Sequence, residues 1–135
     1  MYEIFKNISI VNDWIFQYAR QDFQNLYDSD ELTKVHLLVD PIKILTNFDD
    51  YGGAESTDYS GSFMLVKSSD IDEDYDTHYQ NYIKPIINDS TDIIKNYVKC
   101  ETNFTLVSWS TIEIINALDY NFSGVIVNYT ISDNE

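Results

Sequence analysis

The stretch FTLVSWSTIEIINALDYNFSGVIVNYTIS, residues 104–132, decides the fold class of this 135-residue chain. Both halves are rich in β-branched and aromatic side chains that alternate with a period of two, which is typical of β-strands. In the first half, one predicted face carries Phe104, Leu106 and Ser108, and the other carries Thr105, Val107 and Trp109. In the second half, one face carries Val125, Val127, Tyr129 and Ile131. The connector NALDYN predicts a hairpin turn between the two strands.

Upstream of this hairpin, the spacing of apolar residues predicts a helix that follows the acidic run at residues 70–76 and extends to about Val98. Its stripe consists of Tyr75, Tyr79, Tyr82, Ile83, Ile86, Ile93, Ile94 and Tyr97. Pro85 interrupts the pattern, and proline lacks the backbone donor that a helix interior requires. We therefore expect either a kink at Pro85 or two consecutive helices.

Two further strands are predicted before this helix, at residues 32–46 and 59–68, joined by a glycine-containing loop at 47–58. Pro41 belongs at a bulge or on an edge strand because it cannot donate a ladder hydrogen bond. Apolar side chains occupy every position from 63 to 66, so both faces of the second strand are expected to be covered. The two strands are predicted to pair antiparallel.

The N-terminal region has the periodicity of an amphipathic helix from Ile4 to about Tyr18, with Ile8, Val11 and Ile15 on the same face. The order of elements is then α-β-β-α-β-β. This order predicts an α+β fold in which a mostly antiparallel four-stranded sheet packs with two main helices. At 135 residues the chain is predicted to be a single domain, residues 1–135.

The net charge is −15, from 23 acidic and 8 basic side chains, and the pI is about 4.1. Such a surface repels phosphates and anionic lipids, which argues against sequence-specific nucleic-acid binding and against membrane binding. No signal peptide and no membrane-spanning stretch are predicted. The acidic surface favours plain solubility, a basic protein partner, or the lining of a passage through which DNA slides without sticking.

The acidic run has the sharpest local pattern, with Asp70, Asp72 and Asp74 at the spacing that opens an EF-hand calcium loop. The rest of that motif fails, because Tyr75 stands where glycine is needed and Asn81 where a bidentate glutamate is needed. An acidic first helical turn with an N-cap is the favoured interpretation.

The histidines His36 and His78 and the lone Cys100 show no metal-ligand or catalytic spacing. We predict no catalytic residues, no metal and no cofactor.

The candidate interface residues are acidic or aromatic. The candidate interface or lumen acids are Asp70, Asp72, Glu73, Asp74, Asp76, Asp49 and Asp50. The candidate interface aromatics are Tyr75, Tyr79 and Tyr82, which helical spacing places on one broad side. Tyrosine is enriched at protein contacts because it buries area and keeps a polar tip, although a partly exposed core edge explains the same pattern.

The whole chain resembles a known family in the order of its elements. A long N-terminal helix (MYEIFKNISIVNDWIFQY) precedes a strand with an internal proline (VHLLVDPIKI). A strand then leads through an acidic segment into a helix (GSFMLVKSSDIDEDYDTHYQNYIKPI), and a terminal hairpin follows. This order resembles the small neck and tail-completion proteins of tailed phages, particularly the tail-terminator type. No single signature residue carries the resemblance.

The resemblance implies a subunit of a closed six- or twelve-fold ring between portal and tail, formed through head-to-tail contacts. Its partners would be further copies of itself and portal, neck or tail proteins, in a virion assembled in the bacterial cytoplasm. An alternative is a small acidic inhibitor, either an immunity protein or a DNA mimic, that binds a basic partner. A third hypothesis, an enzyme of unknown type, would require a cleft with strongly perturbed carboxylates.

Overall fold

The computed structural model describes residues 1–18, 33–69, 74–117 and 122–134, which form two helical segments and one six-stranded sheet. Helix α1 is Tyr2–Asn12. The second helical segment, residues 75–101, comprises helix α2 (Tyr75–His78), the π-helical turns Tyr79–Ile83 and Ile86–Ser90, and helix α3 (Thr91–Glu101). The strands are β1 (Ile15–Tyr18), β2 (His36–Val39), β3 (Lys43–Phe48), β4 (Ala54–Ser68), β5 (Phe104–Ala117) and β6 (Phe122–Asn134). The α+β class with a mostly antiparallel sheet is confirmed. The predicted count of four strands and the predicted order α-β-β-α-β-β are wrong, because β1 follows the first helix and the segment around Pro41 forms two strands, which gives α-β-β-β-β-α-β-β.

Strand β4 organises the sheet because it has neighbours along both sides. It pairs with β6 along most of its length on one side. On the other side it pairs first with β3 and then with β2. Strand β5 lies beyond β6, and β1 lies beyond β2. All of these pairings are antiparallel except that of β1 with β2, which is parallel.

The two predicted antiparallel pairings are both present. Strands β5 and β6 form the C-terminal hairpin, and β4 pairs with the chain segment that contains Pro41. That segment is divided into β2 and β3, and Pro41 lies in the interruption between them. The division follows from the chemistry of proline, which has no N–H to continue the ladder.

Helix α1 ends at Asn12, whereas the periodicity predicts a helix to Tyr18. Asp13 adopts the left-handed conformation (φ 56°, ψ 42°), and the Trp14 N–H donates to the Ser9 carbonyl at 2.9 Å. This arrangement closes the helix. The following residues form β1 instead, because their β-branched and aromatic side chains suit a strand and β2 supplies a parallel ladder.

Helix α1 and the second helical segment cover one face of the sheet and form the main core. The buried members of this core are Phe5, Ile8, Leu37, Val39, Phe63, Leu65, Ile86, Ile94, Val98, Val125, Val127, Tyr129 and Ile131. A smaller cluster on the opposite face contains Leu38, Met64, Val66 and Phe122. Both faces of β4 are therefore buried over residues 63–66, as the sequence predicts. The four residues predicted to share one face of β6, Val125, Val127, Tyr129 and Ile131, are all buried in the main core.

Strand β5 departs from the predicted alternation because its register with β6 shifts between Leu106 and Ser108. The extra residue is Val107, which is 61% exposed. Beyond this bulge the side-chain parity reverses, so Trp109 packs against the core together with Phe104 and Leu106. The prediction that Trp109 faces away from Phe104 is therefore wrong, since a bulge places two residues opposite one.

The second helical segment continues through Pro85, which keeps helical dihedral angles (φ −61°, ψ −36°). The sequence predicts a kink or two consecutive helices, but the backbone stays helical at Pro85. Two π-helical turns flank it instead, and their wider i→i+5 hydrogen bonds accommodate the missing donor. The segment ends at Glu101, slightly later than the predicted Val98.

Candidate assembly surfaces

Strand β5 forms one edge of the sheet, since β6 is its only neighbouring strand among the described residues. Three aliphatic side chains of β5 are exposed. Val107 lies in the bulge, Ile112 lies on the face turned away from the helices, and Ile115 lies in the second irregular stretch, between Ile114 and Ala117. The outer backbone N–H and C=O groups of an edge strand are a template for pairing with another strand. The edge therefore offers both hydrogen-bonding groups and apolar area.

Strand β3 forms an edge on the opposite side, where β4 is its only partner in the part of the chain that the structure describes. It also exposes apolar side chains: Ile44 is 63% exposed, Leu45 48% and Phe48 64%. Within the described residues, β3 and β5 therefore lie at edges on opposite sides of the sheet, and β1, whose described partner is β2, is a further terminal strand on the side of β3.

Strand β5 has few charges for a strongly acidic chain, whereas β3, with one charge in six residues, is close to the chain's average. At the chain's average of 23% charged residues, the 14 residues of β5 would hold about three charges (0.23 × 14). Strand β5 holds one, Glu113, and β3 also holds one, Lys43. Natural proteins commonly protect exposed edges with charges, particularly lysine. Strand β5 lacks this protection, because it has no lysine and only one charged residue.

The structure assigns a local role to one member of the acidic run. Asp74 Oδ1 accepts a hydrogen bond from the Thr77 N–H at 2.8 Å, which caps helix α2. This bond lowers the pKa of the Asp74 carboxyl because it stabilises the charged form. Asp76 lies exposed in the first turn, while residues 70–73, which include the candidates Asp70, Asp72 and Glu73, lie outside the described residues. The N-cap interpretation is confirmed for Asp74.

The acids of the β3–β4 hairpin differ from one another in role. Asp49 Oδ1 accepts hydrogen bonds from the backbone N–H groups of Tyr51 and Gly53, both at 2.9 Å. Gly52 has a φ of 83°, a conformation that suits glycine in a tight turn. Asp49 therefore organises the turn, whereas Asp50 is exposed and Tyr51 at the tip is 98% exposed.

The three candidate tyrosines do not form one common contact. Tyr75 is 57% exposed and donates its hydroxyl to Glu113 Oε2 of β5 at 3.0 Å, which raises the pKa of Tyr75. The ring of Tyr79 lies 6.1 Å from that of Tyr75, so these two form a pair. Tyr82 is half-buried and packs against His78, with ring centroids 5.1 Å apart.

A buried polar contact that the sequence does not reveal joins the start of the second helical segment to the sheet. His78 Nε2 lies 2.6 Å from Ser123 Oγ, and Ser69 Oγ lies 3.0 Å from the same oxygen. His78 is 2% exposed and Ser123 is fully buried. Serine and histidine also form nucleophile–base pairs in enzymes, but here both side chains lie inside the protein. The contact satisfies buried polar groups.

Within the described residues, no group of three or more His, Cys, Asp and Glu side chains is arranged to hold a metal ion. None of the described helices combines the length and the apolar character needed to cross a bilayer. A scan against protein-family models finds no match, and a search of curated proteins finds no significantly similar sequence.

Proposed function

We propose that this chain is a structural subunit of a phage head–tail connector or tail-completion ring that joins portal or neck to tail. The observation that carries the proposal is the pair of exposed edges, β3 and β5, on opposite sides of one sheet. A ring needs a head-to-tail contact between two different surfaces of the same subunit. The phage assignment itself rests on the resemblance of the sequence in element order. The structure keeps the N-terminal helix, the helical segment 75–101 and the terminal hairpin of that order, but it adds β1 after a shorter first helix and divides the Pro41 segment into β2 and β3.

The distribution of charge supports self-association through these edges. Each copy carries −15, so two copies repel each other wherever their acidic surfaces meet. The β3 and β5 edges add little to that repulsion, since each strand contributes a single charged residue and the two residues, Lys43 and Glu113, have opposite sign. Exposed Ile44 and Ile112 add apolar area that association would remove from water.

The exposed acids fit the lumen of such a ring. Asp50 and Asp76 are exposed and stand on a hairpin tip and a helix start, outside the two edges. Carboxylates facing a channel would repel DNA phosphates over about 8 Å at physiological salt. DNA could then pass through the ring without adhering to its wall.

An affinity pull-down of the tagged chain from cells that naturally produce it, followed by negative-stain imaging, tests this function. The proposal predicts ring-shaped particles, or co-purification of portal and tail proteins. A discrete complex with one basic protein and no rings would contradict it and would support the acidic inhibitor instead, because opposite charge also accelerates such docking.

A further inference from the structure

We propose that the β5 edge of one copy pairs antiparallel with the β3 edge of the next copy, so that the sheet continues from subunit to subunit. This inference rests on the proposed ring function and specifies the contact that builds the ring. Its occupant is a second copy of this chain, and the main-chain groups of the two edges supply the hydrogen bonds.

Strand direction within one subunit favours this pairing. Strand β3 runs antiparallel to β4, β4 to β6, and β6 to β5. Three reversals make β3 and β5 antiparallel to each other. A neighbouring copy in the same orientation therefore presents β3 antiparallel to β5, which is the direction that extends the existing ladder.

The lengths of the two edges also agree. Strand β3 pairs with β4 without a register shift over Lys43–Asn47, and Ser108–Ile114 of β5 pair with β6 without a register shift. The bulge at Val107 lies just outside this regular stretch. We therefore place β3 of the neighbour along residues 108–114, where the outer edge of β5 is straight enough for continuous pairing.

Side chains on the two edges are compatible in polarity and charge. Leu45 and Ile112 both project from the sheet face turned away from the helices, and they are 48% and 59% exposed. The single charges of the two strands, Lys43 and Glu113, have opposite sign. Pairing β3 with β5 therefore brings no like charges of these strands together, whereas pairing two β5 edges would bring two copies of Glu113 into one interface.

Disulfide trapping tests the contact in the protein purified from producing cells. Exposed Cys100, the chain's single cysteine, is first replaced by serine. Leu45→Cys is then combined with a cysteine at Ser108, Ser110 or Ile112, which share its sheet face. Directly opposite residues have Cα atoms about 4.5–5.5 Å apart, within the range that a disulfide spans.

Mild oxidation is expected to give a ladder of dimers, trimers and larger species for at least one of these three pairs. The matched control combines Leu45→Cys with Thr111→Cys, which is exposed but projects from the opposite face of β5. We expect at least tenfold less cross-linking for this control pair, because strand pairing joins side chains with a period of two.

The outcomes separate this inference from the function on which it rests. Cross-linked dimers without larger species, or self-linking of single β5 variants, would show two-fold β5–β5 pairing and would overturn the inference. Rings that image normally but give no ladder with any pair would overturn the inference and leave the proposed function intact. Absence of rings together with a single basic partner would overturn both.

Discussion

Gly124 of strand β6 lies opposite Val66 of β4, at a point where the two strands leave no room for a side chain. A Cβ atom at this position would stand 2.0 Å from the Leu65 carbonyl oxygen and 2.9 Å from Val66 Cα. Both neighbours are backbone atoms of a buried strand, so neither can move aside without disturbing the ladder. Gly61 of β4 is different, because a Cβ there would meet nothing nearer than the Tyr129 hydroxyl at 3.4 Å.

Gly124→Ala is expected to lower the free energy of unfolding by roughly 3 kcal/mol, the upper end of the cost of overpacking. Gly61→Ala is the matched control and should change it by less than about 1 kcal/mol. Urea unfolding of the two variants measures the difference. Equal stability of both variants would contradict the close approach of β6 to β4.

Asp74 is the other residue whose role gives a direct prediction. Its carboxylate caps α2, and its pKa is lowered below the ordinary 3.8. A carboxyl with a lowered folded-state pKa stabilises the protein above the unfolded-state pKa, and this stabilisation is lost as the pH falls through the folded-state pKa. Asp74→Ala should therefore lower the melting temperature at pH 7, and the difference from wild type should shrink as the pH falls below 3.8 through the lowered pKa of Asp74.

Thermal unfolding of Asp74→Ala as a function of pH measures this loss. Asp76→Ala is the control, because it removes the same charge two residues away without removing the cap. A loss of stability that is equal for both variants at pH 7 would mean that charge and not capping explains the effect.

At the scale of elements, the contact of His78 with Ser123 ties α2 to β6. Ser123→Ala would remove a hydrogen-bond partner from a buried imidazole, which costs about 1–3 kcal/mol. Ser110→Ala, on an exposed face of β5, should stay within about 0.5 kcal/mol of wild type. Chemical denaturation of both variants tests the prediction, and a neutral Ser123→Ala would show that the contact does not stabilise the fold.

The elements also show which features sequence patterns could predict. The pairing of the C-terminal hairpin and the shared face of Val125, Val127, Tyr129 and Ile131 follow from the alternation of apolar and polar residues. This works for β6 because alternate side chains of a regular strand point to the same face of the sheet. Strand β1 could not be predicted, since its apolar spacing fits a helix and its true partner, β2, is remote in sequence. The sequence around Val107 has no pattern that indicates a bulge. The face of the sheet on which Trp109 lies was therefore predicted wrongly.

In the candidate assembly surfaces, too, local features could be predicted from the sequence and long-range features could not. Asp74 was predictable because an N-cap acts within three residues of its own chain position. The positions of β3 and β5 at sheet edges could not be predicted, because whether a strand is central or at an edge depends on the order of the strands in the whole sheet. The His78–Ser123 contact also spans 45 residues and has no local pattern.

At the scale of the whole molecule, the charge of −15 opposes any assembly of identical copies. Added salt screens this repulsion, since the Debye length falls from about 30 Å at 0.01 M to about 3 Å at 1 M ionic strength. Hydrogen bonds and apolar contacts between edges are screened far less. The assembled fraction should therefore rise several-fold with salt.

Analytical ultracentrifugation of the purified chain between about 0.02 and 0.5 M NaCl measures this dependence. A docking contact with a basic partner has the reverse behaviour, because its attraction weakens as salt rises. Dissociation of rings by added salt would therefore contradict assembly through the β3 and β5 edges.

The most direct test of assembly through the β3 and β5 edges is negative-stain imaging of three forms of the chain purified from producing cells: wild type, Ile112→Lys and Val11→Lys. Both substitutions place a lysine at an exposed aliphatic position, but Ile112 lies on the β5 edge and Val11 lies on α1. We predict rings for wild type and Val11→Lys, and at least tenfold fewer rings for Ile112→Lys with unchanged folding. Equal numbers of rings in all three forms, or none in wild type, would contradict assembly through the sheet edges.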